Sequence, residues 1–254
     1  MKISLLIETK GLTVFGDVRA EYGADLMTVR VNVPSLGQEV PVIPGTQVKG
    51  SLRTVATMIH DILASKNIIS WNTGYFKTCL GSLKSPCGKC LICAIFGYPG
   101  LPHSPLHVTN FYPVKPDKIE EVASQGLTKA LQQPDYWVLP ETMYITRTRI
   151  NDSTGTVSPG ALYTYEHIYP GTLFYGEIYL YKNTLANYTK VVEDIEKIYS
   201  EAAVLILASI SQLNYVTIGR NSVCSFRVLK VEPKELLEKR YVKALFENKP
   251  RSGD

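Results

Sequence analysis

The sequence predicts a single-domain α+β fold. Strand-like segments alternate with two long helical patterns, in the order strand–helix–strand and then strand–helix–strand again. That order is typical of a ferredoxin-like, RRM-related domain, here with large insertions. The chain has 254 residues, 45% of them hydrophobic, which is enough for one sizeable core. Because no linker composition divides the chain, we predict one domain over residues 1–254.

The first half of the skeleton begins with an alternating strand over residues 2–9. A Pro44-Gly45 turn then leads into a helix that ends near Ser65, and the Thr46 hydroxyl is predicted to cap its first turn. The predicted buried face of this helix repeats at helical spacing and consists of Val48, Leu52, Val55, Ile59, Ile62 and Leu63. The next strand is predicted over residues 106–112.

The second half contains the other predicted strands, over residues 144–149, 162–169, 173–181 and 222–231. Helical spacing predicts a long helix over 188–213, a short one near 119–131 and a charged C-terminal one over 232–248. Two stretches interrupt the skeleton. We predict a cysteine-rich insert near residues 70–105 and a second insert near 113–145.

Composition limits the possible functions. The net charge of +4 is mildly basic and compatible with a nucleic-acid partner. No apolar run reaches membrane-spanning length, and Glu8 comes too early for a signal peptide, so we expect a cytoplasmic protein without membrane contact. The sequence offers no convincing Ser-His-Asp arrangement, Walker loop or paired-histidine metalloprotease motif.

Four of the five cysteines, Cys79, Cys87, Cys90 and Cys93, fall within one short segment. Four thiolates are the number that a closed tetrahedral zinc site needs, so we predict structural zinc. Reduced cysteines or disulfides are the alternatives, and His103 and His107 are possible substitutes for one cysteine. Cys224 has no histidine near it in sequence and is predicted to be a buried strand residue.

The helix after Pro44-Gly45 also has the composition of a phosphate site. Lys49 and Arg53 lie one turn apart near its N-terminus, with Gly50 between them leaving room for another molecule. A helix N-terminus adds free N–H groups and a positive dipole end. The alternative is an ordinary core helix with two solvated charges.

Five segments carry motifs: a strand–turn–helix signature at 43–53, Cys-x-x-Cys leading to Phe-Gly at 90–97, Thr-Arg with Thr-Gly at 146–155, a Gly-to-Glu segment at 160–166, and Ile-Gly-Arg at 218–220. Together they resemble the RAMP superfamily of CRISPR–Cas proteins. The likeness is greatest to the repeated backbone subunit of type III effector complexes, the Csm and Cmr assemblies, and within these to the Csm-three type.

The resemblance implies an RNA-binding subunit. Its partners would be a CRISPR guide RNA, a complementary target RNA, and other RAMP and type III subunits. The implied RNA-binding residues are Lys49, Gly50, Arg53, Arg147, Arg149, Gly219 and Arg220. The arginines and the many tyrosines between Tyr136 and Tyr181 have the composition of a single-stranded RNA surface, although tyrosine also simply favours strands. The loop at Gly219 departs from the family, because it has lost most glycines.

The resemblance also implies a catalytic aspartate, and Asp25 occupies the matching position upstream of residue 43. Such a carboxylate would recruit Mg²⁺ or Mn²⁺, or orient the RNA 2′-hydroxyl that attacks the adjacent phosphate. A solvated loop aspartate is the alternative, and Asp17 is the nearby competitor.

Two rival functions remain. A non-catalytic structural or capping subunit would share the fold and the RNA contacts without cleavage. A stand-alone RNA-processing endonuclease would need a histidine-centred acid–base site, and none is apparent in the sequence.

Overall fold

The computed structural model describes residues 1–17, 25–82, 84–101, 103–150, 153, 157–189, 194–218 and 222–238. The predicted α+β class is confirmed. The strands in this part of the chain are β1 (Lys2–Thr9), β2 (Gly16–Asp17), β3 (Met27–Thr28), β4 (Arg30–Val33), β5 (Gln38–Pro41), β6 (Leu106–Val108), β7 (Tyr112–Pro113), β8 (Thr142–Ile150), β9 (Val157–Ile168), β10 (Leu173–Leu180) and β11 (Cys224–Glu232). The helices are α1 (Gly45–Ser65), α2 (Thr73–Cys79), α3 (Leu91–Phe96), α4 (Ile119–Gln125), α5 (Leu127–Ala130), α6 (Lys182–Thr189), α7 (Ile195–Gln212) and α8 (Glu235–Glu238).

The central sheet has the strand order β11-β1-β10-β6, and β7 also pairs with β10. Every one of these pairings is antiparallel. If β1, β6, β10 and β11 are numbered 1 to 4 in chain order, the strand order is 4-1-3-2, which is the ferredoxin-like arrangement. The two strand–helix–strand units are β1-α1-β6 and β10-α7-β11.

One face of the sheet packs against α1 and α7. Alternation in β1 places Ile3, Leu5 and Ile7 on this face, fully buried in the main hydrophobic cluster. Helix α7 is buried along nearly its whole apolar run from Ala202 to Ile210. A helix that is apolar on most sides needs cover on most sides, and this one contacts α1, α6 and α8 and shares the main hydrophobic cluster with the sheet.

The other face of the sheet is covered by the chain between β7 and β8, which includes α4 and α5. A separate hydrophobic cluster joins this segment to Leu6 and Tyr175, whose side chains lie on the sheet face opposite to the helices. Trp137 is buried in that cluster, and its indole N–H donates to the Ala130 carbonyl at 3.0 Å. The boundaries of the predicted inserts stay predictions, but both segments lie outside the four-strand skeleton.

The predicted N-terminal cap of α1 is wrong. Pro44 occupies the cap position without a side-chain hydrogen bond, and the Gly45 N–H is satisfied by the Asn110 side-chain oxygen at 3.0 Å. A Cβ at Gly45 would lie 2.2 Å from the Val108 carbonyl oxygen, so this position needs glycine. The predicted buried face of α1 also fails at Ile62, which is 61% exposed in the last turn.

Other boundaries differ from the sequence prediction. The helix predicted over 188–213 is described as α7 from Ile195, α6 precedes it, and residues 190–193 lie outside the described residues. The strand predicted over 106–112 is split into β6 and β7. The predicted C-terminal helix begins at Glu235 rather than at 232, because Glu232 still belongs to β11, and the part after Glu238 lies outside the described residues. In the part of the chain that the structure describes, no helix combines the length and apolarity needed to cross a bilayer.

Candidate metal centre and nucleic-acid interface

The four clustered cysteines meet at one point. Cys79 ends α2, Cys90 directly precedes α3, Cys93 lies within α3, and Cys87 comes from the turn between them. Their sulfur atoms all lie within 4.8 Å of one another. The predicted substitutes, His103 and His107, are not part of this cluster.

The sulfur spacing suits a tetrahedral ion. At a Zn–S distance of about 2.3 Å, two sulfurs of a tetrahedron are separated by about 3.8 Å. The Cys79 and Cys90 sulfurs are 3.5 Å apart, and those of Cys87 and Cys93 are 4.0 Å apart. All five cysteines are free rather than paired in disulfides. The cluster can therefore hold a metal ion such as zinc without a large rearrangement.

The backbone around the cluster stabilises negative sulfur. The N–H groups of Lys89 and Cys90 donate to the Cys87 sulfur at 3.4 and 3.2 Å. Gly88, with φ of +66°, supplies the left-handed residue that this turn needs. A hydrogen bond from the Cys90 thiol lowers the pKa of Cys93 to about 5. The same bond, followed by burial, raises the pKa of Cys90.

The cysteine module, residues 79–97, is continuous with the main core. All six residues of α3 are buried, and they belong to the same hydrophobic cluster as the sheet. The apolar run Leu91–Phe96 provides this surface, which a four-cysteine pattern alone does not reveal.

Both predicted phosphate-binding cations on α1 have partners within the chain. The Lys49 ammonium donates to the Leu106 carbonyl at 2.9 Å, and burial followed by the nearby charge of Arg53 lowers the pKa of Lys49. The Arg53 guanidinium donates to the Gly97 carbonyl at 2.7 Å and twice to the Gly81 carbonyl, at 2.9 and 3.2 Å. Arg53 therefore fastens both ends of the cysteine module to α1. Phosphate contact by either cation stays a prediction.

Strands β8 and β9 form a two-stranded hairpin outside the central sheet. Arg147 is exposed on β8 and lies opposite Tyr163, whose ring is 5.0 Å from that of Tyr165. These three residues share one face of the hairpin, because their register places them on the same side of the ribbon. An exposed guanidinium beside tyrosine rings is the composition predicted for RNA contact.

Asp25 is exposed and attached to this hairpin. Its backbone N–H donates to the Thr164 carbonyl at 2.8 Å, and its Oδ2 accepts from the Thr164 N–H at 2.6 Å. The next residue, Leu26, forms a parallel bridge with Tyr165. The carboxylate therefore lies beside β9, one strand away from Arg147.

A buried carboxylate holds the Asp25 segment in place. Glu166 accepts from the Thr28 N–H and hydroxyl at 3.0 and 2.8 Å and pairs with Arg30 at 2.5 Å. Burial alone would raise the pKa of Glu166, but these contacts outweigh it and lower the pKa. The strand that follows Asp25 is thus fixed to the hairpin through a side chain as well as through backbone pairing.

The comparisons with known proteins agree with this architecture. The model of the RAMP superfamily matches residues 27–223. The chain belongs to the RAMP superfamily. The match runs from β3 to the start of β11 and includes the cysteine module and the hairpin. The predicted superfamily is confirmed, whereas the Csm-three type stays a prediction. No curated protein is similar enough to this RAMP chain to count as a match.

A solved structure shares this fold. A chain of the type III-B Cmr-beta complex in the apo state is similar with a TM-score of 0.51 at 12% identity, covering 91% of the RAMP chain and 98% of its own length. A chain of Cmr-beta bound to cognate target RNA is similar with a TM-score of 0.48 at 11% identity, covering 90% and 97%. At such identities, the likeness to the first of these establishes a shared fold and nothing further.

Several predicted site residues of the RAMP chain lie in parts of the chain that the structure does not describe. Gly219 and Arg220 lie outside the described residues, and so do the side chains of Arg149 and Asp17. Gly50 is exposed, and a Cβ there would touch nothing within 4 Å, which leaves the space that the prediction requires. Cys224 is buried in β11, as predicted, and burial raises the pKa of its thiol to about 12.

Sequence reasoning missed three buried carboxylates. Besides Glu166, Glu177 pairs with Lys2 at 3.0 Å, and Glu201 accepts from the Ser70 and Trp71 N–H groups at 3.0 and 2.9 Å. The sequence does contain a sign of such residues, namely a single acid within an apolar stretch. Glu177 and Glu201 each stand next to a buried hydrophobic residue. Such an acid needs a partner, but the sequence does not say which one.

Proposed function

We propose that this chain is a subunit of a type III CRISPR effector complex that binds guide RNA and cleaves complementary target RNA. The observation that carries the proposal is the pairing of Asp25 with the hairpin that bears Arg147, because it brings the predicted catalytic carboxylate beside the predicted RNA surface. Membership of the RAMP superfamily and the fold shared with a Cmr-beta subunit support it.

In the proposed reaction, the 2′-oxygen of target RNA forms a bond to the adjacent phosphorus while the bond to the 5′-oxygen breaks. Asp25 would orient the attacking hydroxyl or help to hold a divalent cation, Mg²⁺ or Mn²⁺, which would offset charge on the phosphate. A single carboxylate does not provide both the base and the acid, so the leaving oxygen takes its proton from another donor.

The rival proposal, a non-catalytic structural or capping subunit, also has an observation in its favour. The Asp25 carboxylate accepts a backbone N–H from Thr164, and such a bond fixes a loop whether or not the residue reacts. The two proposals differ in whether Asp25 is needed for its charge or for this hydrogen bond.

Two variants in the assembled complex separate them. Asp25→Asn keeps an oxygen that accepts the Thr164 N–H but removes the negative charge, and Asp25→Ala removes both. If Asp25 is catalytic, both variants lose divalent-dependent cleavage by about a hundredfold or more while target binding persists. Asp117→Ala, at an exposed acid in the second insert, is the matched control. Full cleavage by Asp25→Asn would favour the structural role or move the chemistry to Asp17.

A further inference from the structure

An open groove lies where the edge strand of the central sheet meets α6. It encloses about 620 Å³, and none of the four clustered cysteines lines it. One wall is the loop before β6 together with β6 itself, and the other is the start and one face of α6. The lining residues are His103, Ser104, His107, Tyr181, Thr184, Asn187 and Tyr188.

The groove is held open by hydrogen bonds within the chain. The His103 N–H donates to the Tyr188 hydroxyl at 3.0 Å, which ties the loop to α6. The Ser104 hydroxyl donates to the Ile95 carbonyl at 2.9 Å, and the Tyr181 N–H donates to the Pro105 carbonyl at 3.0 Å. A site with walls fixed in this way loses little conformational entropy when a ligand enters.

The lining includes two tyrosines and two histidines and has no carboxylate among its residues. Tyr181 is 49% exposed, and its ring lies parallel to that of Tyr179, with an interplanar angle of 4° and centroids 6.0 Å apart. The Tyr179 ring also lies near that of His107, with centroids 6.4 Å apart. Three neighbouring rings thus meet at the groove, and the half-exposed ring of Tyr181 is available for stacking.

One end of the groove is cationic. A smaller hollow shares His103 and Ser104 with it and extends to Tyr98 and Arg53. The guanidinium of Arg53 uses Nε and one N–H on each terminal nitrogen for its carbonyl contacts, and a guanidinium has five N–H donors. Two donors thus remain for an anion beside the aromatic groove.

We propose that this groove binds a nucleotide of single-stranded RNA, with its base stacked on Tyr181 and its phosphate towards Arg53. The inference rests on the proposed RNA-binding function and adds a site to it. Flat rings next to a guanidinium, without acids, match a nucleotide better than they match a cationic or purely apolar ligand. A second metal site is not supported, because among the described residues only the four cysteines form a group of three or more metal-binding side chains.

The test uses the full chain and a fluorescein-labelled single-stranded RNA of about 12 nucleotides, since single-strand sites typically span 4–16. Tyr181→Ala should weaken binding about 5- to 100-fold, whereas Tyr181→Phe, which keeps the stacking ring, should bind as the parent does. Tyr75→Ala, at a similarly exposed tyrosine (44%) outside both the groove and the predicted RNA surface, is the matched control and should leave the affinity unchanged. Circular dichroism checks that each variant is folded.

Photocrosslinking with 4-thiouridine in the same RNA gives an independent readout. An adduct on the peptide containing Tyr181 or His107 is the expected result. If Tyr181→Ala binds normally and adducts occur only on the hairpin, while Arg147→Ala weakens binding, the groove assignment is overturned and the proposed RNA-binding function stands. If the parent chain binds no RNA at all, both are overturned.

Discussion

The two segments inserted in the skeleton are held in different ways. The cysteine module is fixed to α1 by Arg53, brings four thiols to one point, and shares the main core. The second insert, with α4 and α5, covers the opposite sheet face through a hydrophobic cluster of its own around Trp137. The first combines four clustered thiols and polar contacts with burial of α3 in the main core, whereas the second is held mainly by an apolar cluster of its own. The same sheet thus supports one segment that could hold a metal ion and one in which, among the described residues, no group of metal-binding side chains occurs.

The largest effect is expected from the cysteines. Cys90→Ser removes one of four sulfurs, so bound metal should fall well below the one zinc per chain that we expect for the parent, measured by elemental analysis. Because metal binding contributes directly to the stability of such modules, limited proteolysis should then cut between residues 70 and 105. Cys224→Ser, at a cysteine outside the cluster, is the control and should retain metal. If a metal-free Cys90→Ser protein resisted proteolysis between residues 70 and 105 as well as the parent does, the cysteine module would not depend on metal.

The next effect concerns the apolar insert. Trp137→Ala deletes a side chain that is 2% exposed and leaves a cavity, so it should lower the free energy of unfolding by about 3–5 kcal/mol. Urea denaturation measures this loss. Metal content should stay at the parent value, since the two segments lie on opposite faces of the sheet. A simultaneous loss of metal would show that they are coupled.

A smaller effect is expected from Glu177, which joins the second insert to the sheet through the Leu127 N–H at 2.9 Å and the Tyr175 hydroxyl at 2.8 Å. Burial alone would raise the pKa of Glu177, but hydrogen bonds from Tyr179, Leu127, Lys2 and Tyr175 outweigh it, so the pKa is lowered.

Because the folded pKa of Glu177 lies below its ordinary value of 4.5, its stabilisation is complete above about pH 4.5 and is lost as pH falls through the folded value. Glu177→Gln should cost about 1–3 kcal/mol at pH 7 and flatten the fall of stability in acid. Thermal melts of the parent and the variant between about pH 3 and 7 give the comparison. Parallel curves at all pH values would contradict this assignment.

The smallest effect is expected from Arg53. Arg53→Ala leaves the Gly81 and Gly97 carbonyls without their donor and should cost about 1–2 kcal/mol, with faster proteolysis of the cysteine module than of the second insert. Arg53→Lys keeps the charge but has no fork to reach both carbonyls, so it should restore only part of the stability. Equal protease sensitivity of both segments would show that Arg53 does not hold this module in particular.

The sequence predicted what local periodicity encodes. Strand Lys2–Thr9 and the end of α1 at Ser65 follow directly from alternation and helical spacing. The cysteine cluster was also predictable, because metal-ligand spacing is short in sequence. The start of α1 was not, since its Gly45 N–H bonds to Asn110, 65 residues away.

The long-range polar contacts were out of reach for the same reason. Thr28 and Glu166 meet across 138 residues, and no local pattern assigns such a partner. The position of Asp25 beside Thr164 is similar, because a parallel bridge between distant segments has no signature in either one. The resemblance to a family suggested a role for Asp25, and the fold supplied its neighbours.

The position of Arg53 has a thermodynamic consequence. Its guanidinium contacts the cysteine module and also borders the hollow that leads to the Tyr181 groove. If an ion bound at the sulfurs orders the Arg53 side chain, the cysteine cluster and the Tyr181 groove are energetically coupled. Such coupling is reciprocal. If a nucleotide binds more tightly when the module holds zinc, the bound nucleotide raises the affinity of the module for zinc by the same factor. The zinc affinity of this chain would then depend on whether RNA is bound.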